Sequence, residues 1–148
     1  MSTEIFVNLT TTDLPRAKKF FEGLGWSINP NFTDDNAACV VIDEHIYLMV
    51  LLREFFATFT SKPLSDPRAS AQMQVSLSVE SREAVDAFLE KVLAAGGTEP
   101  RDPQDYGFMY SRDFEDPDGN EFGILWMDPK AAEQGPEAYL AEQGGASA

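Results

Sequence analysis

Hydrophobic and polar positions alternate over Ile5–Thr10. Val7 and Leu9 lie on one side and Phe6, Asn8 and Thr10 on the other, the period-two pattern of a strand with one buried face. The period then lengthens: Ala17, Phe20, Phe21 and Leu24 recur at helical spacing behind Asp13 as N-cap and Pro15 near the first helical position, and Gly25 closes the helix. The arrangement recurs at an offset of 68 residues, where Gln74-Val75-Ser76-Leu77-Ser78 repeats Phe6-Val7-Asn8-Leu9-Thr10 and Phe88-Leu89-Glu90 repeats Phe20-Phe21-Glu22. In this copy Val75, Leu77 and Val79 oppose Gln74, Ser76 and Ser78. The second helix starts at Ser81 and ends at Gly96-Gly97.

Further strands are predicted over Trp26–Thr33, Ala37–Ile42 and Ile46–Leu52, and again over Thr98–Arg101, Phe108–Phe114 and Glu121–Met127. Asp116-Pro117-Asp118-Gly119 is the sharpest turn signal. The last strands correspond at an offset of 76, His45–Met49 against Glu121–Leu125. The chain thus reads as α+β, βαβββ twice: residues 4–52 the first module, 53–72 a linker with a short helix, 73–128 the second module, and 129–148 a flexible tail without a core role. Residues 1–128 form one domain in this reading.

With 148 residues, 43% of them hydrophobic, the chain can bury a core without disulfides or structural metal. Eleven Lys and Arg against 25 Asp and Glu leave a net charge of -14, which repels phosphate backbones and anionic bilayers. Nucleic acid and membrane partners are therefore not expected. Cys39 is alone, Met1-Ser-Thr-Glu lacks the features of a signal peptide, and no apolar run approaches the roughly 20 residues of a membrane span. A cytoplasmic protein is expected.

Candidate chemistry is sparse. His45, the one histidine, sits among turn formers between Glu44 and Ile46, and the reading favoured there is a solvated hairpin turn. Cys39 falls in an apolar run, as inert buried thiols do. Asp113, Glu115, Asp116 and Asp118 suggest a calcium loop, but Pro117 occupies a ligand position and turn chemistry accounts for the segment better. The pairs Asp34/Asp35 and Asp43/Glu44 lie in turns, and Gly96-Gly97 follows a helix where a phosphate cradle would precede one.

Three segments carry a family resemblance: Phe6-Val7-Asn8-Leu9 leading to Asp13-Leu14 and Arg16; Phe20-Phe21-Glu22-Gly23-Leu24-Gly25-Trp26; and Glu115-Asp116-Pro117-Asp118-Gly119-Asn120. In order, and with the duplication, they resemble the vicinal oxygen chelate superfamily of glyoxalase I, bleomycin-resistance proteins, fosfomycin-resistance enzymes and extradiol dioxygenases. The resemblance implies a half-open barrel of two modules around a cavity, commonly in a homodimer, with metal ligands on the first and last strand of each module. Those positions carry over to Phe6, Tyr47, Gln74 and Gly123. None is a histidine or carboxylate, so no metal and no cofactor is expected.

What remains is a lining. The faces opposite the aliphatic positions supply Phe6, Asn8, Thr10, Gln74, Ser76 and Ser78; the last strands add Tyr47, Met49, Gly123 and Leu125. Phe108, Met109, Tyr110 and Arg112 are read as the rim, with undetermined facing. The expected ligand contacts are Phe6, Asn8, Thr10, Tyr47, Met49, Gln74, Ser76, Ser78 and Tyr110. Aromatic and thioether surface with a few amides and hydroxyls suits an uncharged or weakly polar molecule, bound without a metal. The alternatives are a metal-dependent lyase, isomerase or dioxygenase of the glyoxalase I type, which leaves catalysis open, and a purely interacting module.

Overall fold

The computed structural model describes residues 2–147; Met1, the first residue of the expected domain, and Ala148, the last of the expected tail, lie outside the described residues. The first module runs β1 (Ile5–Thr11), α1 (Leu14–Gly23), β2 (Ser27–Asn29), β3 (Ala37–Asp43), β4 (Ile46–Leu52). The second runs β5 (Val75–Ser78), α3 (Arg82–Ala95), β6 (Gln104–Asp105), β7 (Met109–Glu115), β8 (Glu121–Met127). Each builds a four-stranded mixed sheet, in the orders β1-β4-β3-β2 and β5-β8-β7-β6, whose first and last strands pair in parallel. The α+β reading with two βαβββ modules holds. The two sheets are not closed into a barrel.

Helix starts follow the capping residues. Asp13 accepts a hydrogen bond from the Arg16 amide and Ser81 from the Ala84 amide, each satisfying one amide that the helix itself leaves without a partner. Gly96 ends α3 in the left-handed region, at φ 103°. Two predicted strands differ from the expectation, both at prolines: β2 is cut short, and Thr98–Arg101 forms no strand. Pro30 opens a 3-10 turn over Pro30–Phe32 and stops β2. Pro100 and Pro103 lack the amide a ladder needs, so Thr98 makes a single bridge to Glu115 and pairing resumes at Gln104. The segment after Met127, expected as a tail without a core role, folds as α4 (Pro129–Gln134) and α5 (Pro136–Ser147). Ala131 is buried there, and the Tyr139 hydroxyl donates to Asp128 at 3.0 Å.

The modules share one core. On α1, Ala17, Phe20 and Phe21 pack over Val40 and Leu48; on α3, Val85, Leu89 and Val92 pack over Phe122 and Ile124. The helices touch each other, and aromatic rings join the halves: Phe20 to Phe114 at 6.3 Å, Phe21 to Phe122 at 5.9 Å, Trp26 to Phe88 at 5.7 Å. Each buried ring contributes about 1.5–3 kcal/mol over its exposed state. Both sheets therefore turn their helix-bearing faces into common apolar territory, and the opposite faces stay exposed at Phe6, Asn8, Ser76 and Ser78.

Candidate functional site

Strand parity decides which side chains reach those open faces. In the first sheet Phe6 lies beside Tyr47, Asn8 beside Met49 and Thr10 beside Leu51, all on the face away from α1. Phe6 is 52% exposed and stacks on Tyr47, with ring centroids 4.7 Å apart and planes 11° from parallel. The Tyr47 hydroxyl donates to the Glu44 carbonyl at 2.8 Å and to Glu4 at 3.1 Å. Desolvation and the Glu4 carboxylate push its pKa above the ordinary phenol value. Tyr47 is thus a neutral donor with a flat apolar ring, and a poor phenolate ligand.

In the second sheet Ser76 lies beside Gly123 and Ser78 beside Leu125, with Gln74 just ahead of the strand. A Cβ on Gly123 would stand 3.2 Å from Asp113 Oδ1, 3.2 Å from Ser76 Oγ and 3.5 Å from Gln74 Oε1. The missing side chain makes room for three oxygens. Asp113 is buried and receives the Arg101 Nε. Neither Asp113 nor Arg101 emerges as a site residue from the sequence reading, which groups Asp113 with the turn acids. Its parity on β7, opposite Gly123, is the signal that places it on the open face.

Eight of the nine expected contacts thus lie on the open faces, five on the first sheet and three on the second. Tyr110 stands apart. It pairs with Trp126 on the helix-bearing face, donates its hydroxyl to Asp86 at 2.6 Å and lies under the Arg82 guanidinium. Arg112 shares that face, held by Glu99 and Asp86, whereas Met109 faces the open side opposite Met127. The register also corrects the correspondence of the last strands. Val7 pairs with Leu48 and Val75 with Phe122, so Met49, and not Tyr47, is the counterpart of Gly123.

The donor set at the metal-bearing positions of the resembled family does not fit a metal. Phenylalanine, methionine, carboxamide and glycine, with Tyr47 held protonated, supply no anionic or imidazole donor, and the Arg101 cation stands beside Gly123 by way of Asp113. Among the described residues no group of three His, Cys, Asp or Glu could hold a metal ion. His45 sits in the β3–β4 turn near Glu4 and Glu44, and burial pushes the Cys39 thiol up.

The acidic turn between β7 and β8 does structural work. Asp118, 3% exposed, accepts from Thr11 Oγ1 at 2.6 Å, the Thr12 amide at 3.0 Å and Arg16 Nη2 at 2.8 Å, tying the turn to the β1–α1 junction. Asp116 accepts from the Asp118 and Asn120 amides and from Asn120 Nδ2, which also donates to the Thr10 carbonyl. Burial pushes the Asp116 carboxyl up to about 6.

The linker forms a strap over the seam between the modules. It starts in α2 (Arg53–Phe56), which lies against β1 and β4. Arg53 donates to the Ser65 carbonyl at 3.0 Å and Arg68 to the Pro117 carbonyl at 2.7 Å. Gly119, at φ 94°, admits the strap: a Cβ there would fall 2.9 Å from the Arg68 amide nitrogen. Beneath lies a cavity of about 240 Å³, bounded by Asn8 and Thr10 of β1, Val75 of β5, Glu121 of β8, and Phe56, Leu64 and Met73 of the strap. Sequence reading misses it, because the strap carries no periodicity and docks through isolated tertiary contacts.

Paired βαβββ modules, each a mixed four-stranded sheet whose first and last strands run parallel, define the class of fold. The chain belongs to the Glyoxalase/Bleomycin resistance protein/Dioxygenase superfamily, whose family model matches residues 5–124. No curated protein matches it significantly. Among solved structures it is similar to hypothetical protein SA1046 from S. aureus, at 25% identity and a TM-score of 0.72, covering 85% of this chain and 94% of that one. It is also similar in fold to the fosfomycin resistance protein FosX from Mesorhizobium loti (14% identity, TM-score 0.64, 89% and 98% covered). A bleomycin resistance determinant encoded on transposon Tn5 is comparable (18%, 0.61, 86% and 99%). No described helix is long and apolar enough to cross a membrane.

Proposed function

We propose that the protein binds a small organic molecule without a metal, on the open face of the first sheet and in the cavity beside it. The observation that carries this reading is the exposed Phe6–Tyr47 stack, one two-residue step from Asn8 at the cavity wall. A flat aromatic platform left in water is costly unless something covers it. Asn8 and Thr10 add hydrogen-bonding groups that orient a guest. The contacts proposed are Phe6, Asn8, Thr10, Tyr47 and Met49, with Gln74, Ser76 and Ser78 on the second sheet; Tyr110 faces α3 and is not among them. A homodimer in the cytoplasm belongs to the same proposal, a second copy covering Ile5 along the free edge of β1.

The test is a thermal-shift screen of metal-free protein with aromatic and amphiphilic compounds. A hit raises the melting temperature of wild type, and Phe6→Ala removes most of the rise while lowering apo stability by less than about 1 kcal/mol. Retention of about one nickel, zinc or iron ion per subunit through dialysis would overturn the metal-free reading and restore the glyoxalase-type enzyme.

A further inference from the structure

The cavity under the strap has a charge pattern that narrows its occupant. Its walls are apolar at Phe56, Leu64, Met73 and Val75, and its polar atoms come from amides, hydroxyls and one acid, Glu121. No lysine or arginine lines it. Three arginines of the strap and the second sheet are held by other groups: Arg53 and Arg68 by strap and turn carbonyls, and Arg101 by Asp113. Glu121 has no hydrogen-bond or ion-pair partner among the described residues.

A second observation points the same way. Glu121 stands directly opposite Glu115 across the β7–β8 ladder, on the same open face, and Glu115 also lacks a side-chain partner among the described residues. Both are half-buried. Like charges directly opposite on neighbouring strands are unfavourable, and a positive charge beside them reverses the sign. The chain's net charge of -14 adds a long-range field favouring a cation.

We propose that this cavity binds a small organic cation, a protonated amine on an apolar body, with the ammonium on Glu121 and Glu115 backing it from the next strand. The body packs against Phe56, Leu64, Met73 and Val75, and Asn8 orients the molecule. At about 30 Å³ per water, 240 Å³ equals about eight waters, room for a body of about ten non-hydrogen atoms. The inference rests on the small-molecule reading above and gives its ligand class; it replaces the uncharged guest expected from the sequence.

Three probes with the same phenylpropyl carbon skeleton test it by titration calorimetry at pH 7: 3-phenylpropylamine, 3-phenylpropan-1-ol and 3-phenylpropanoate. Wild type should bind the amine about ten-fold or more tighter than the alcohol, as a charge-assisted contact gives, and the carboxylate more weakly than either. Glu121→Gln should abolish the amine's advantage and leave alcohol affinity within about two-fold, since the amide keeps the cavity's shape; Glu115→Gln should shrink the advantage. Glu90→Gln, an exposed site on α3, should change nothing, which separates the cavity from the protein's overall negative field. The Gln variants relieve a like-charge pair, so their melting temperatures should equal or exceed that of wild type, verifying the fold. Equal affinity for amine and alcohol, or a preference surviving Glu121→Gln, overturns the cation assignment and leaves the small-molecule reading standing. Binding of none of the three overturns both for this cavity.

Discussion

The strongest single-residue commitments lie in the turn Asp116–Asn120. Asp118 collects donors from Thr11, Thr12 and Arg16 at a buried position, so Asp118→Ala leaves several polar groups of the β1–α1 junction unanswered. The expected loss is about 2–4 kcal/mol, read by urea denaturation. Asp116 behaves differently. Its folded pKa of about 6 lies above the ordinary carboxyl value of 3.8, because burial penalises the charge, so its protonated form favours the folded state. Its contribution is fully present below about 4 and is lost as pH rises through about 6. Over that interval wild-type stability should fall relative to Asp116→Asn, by up to about 3 kcal/mol, in denaturation curves at stepped pH. A difference independent of pH would show that the carboxyl titrates normally.

Among the elements, the strap depends on one backbone position. Gly119 combines a left-handed φ with an approach to Arg68 that leaves no space for a methyl group. Gly119→Ala should destabilise by about 1–3 kcal/mol and increase the rate of proteolytic cutting between Ser61 and Met73 over that of wild type. The legible parts of the fold were those governed by short-range rules: the caps at Asp13 and Ser81, and the period-two parity that put Phe6, Asn8 and Thr10 on one face. Elements settled by distant contacts escaped. The strap's docking, the burial of Ala131 after Met127 and the correspondence of Met49 with Gly123 depend on tertiary neighbours that a local pattern does not encode. Tyr110 belongs with these. In an isolated strand either parity was admissible until Trp126 and Asp86 fixed it. The glycine at position 123 was legible as a missing ligand, whereas the Asp113–Arg101 pair beside it needed the β7–β8 register.

At the scale of the whole molecule, the charge of -14 is spread over a chain with one core. Self-repulsion of that size should make the protein measurably more stable as salt rises, its melting temperature climbing by several degrees from about 0.01 to 0.5 M NaCl. The same addition should weaken the amine probe and spare the alcohol, because screening acts on the charge and not on the apolar walls. A melting temperature indifferent to salt would place the excess carboxylates too far apart to interact.

The rings that bridge the halves have a historical consequence. A duplicated module that kept its own core would be free to diverge alone, whereas Phe20 and Phe21 spend their surface on Phe114 and Phe122 of the sister copy. Enlarging a side chain on α1 demands a concession on β7 or β8, so neither half changes its interior without the other. Substitutions at exposed positions of the outward sheet faces, such as Asn8 or Ser76, make no such demand on the interior.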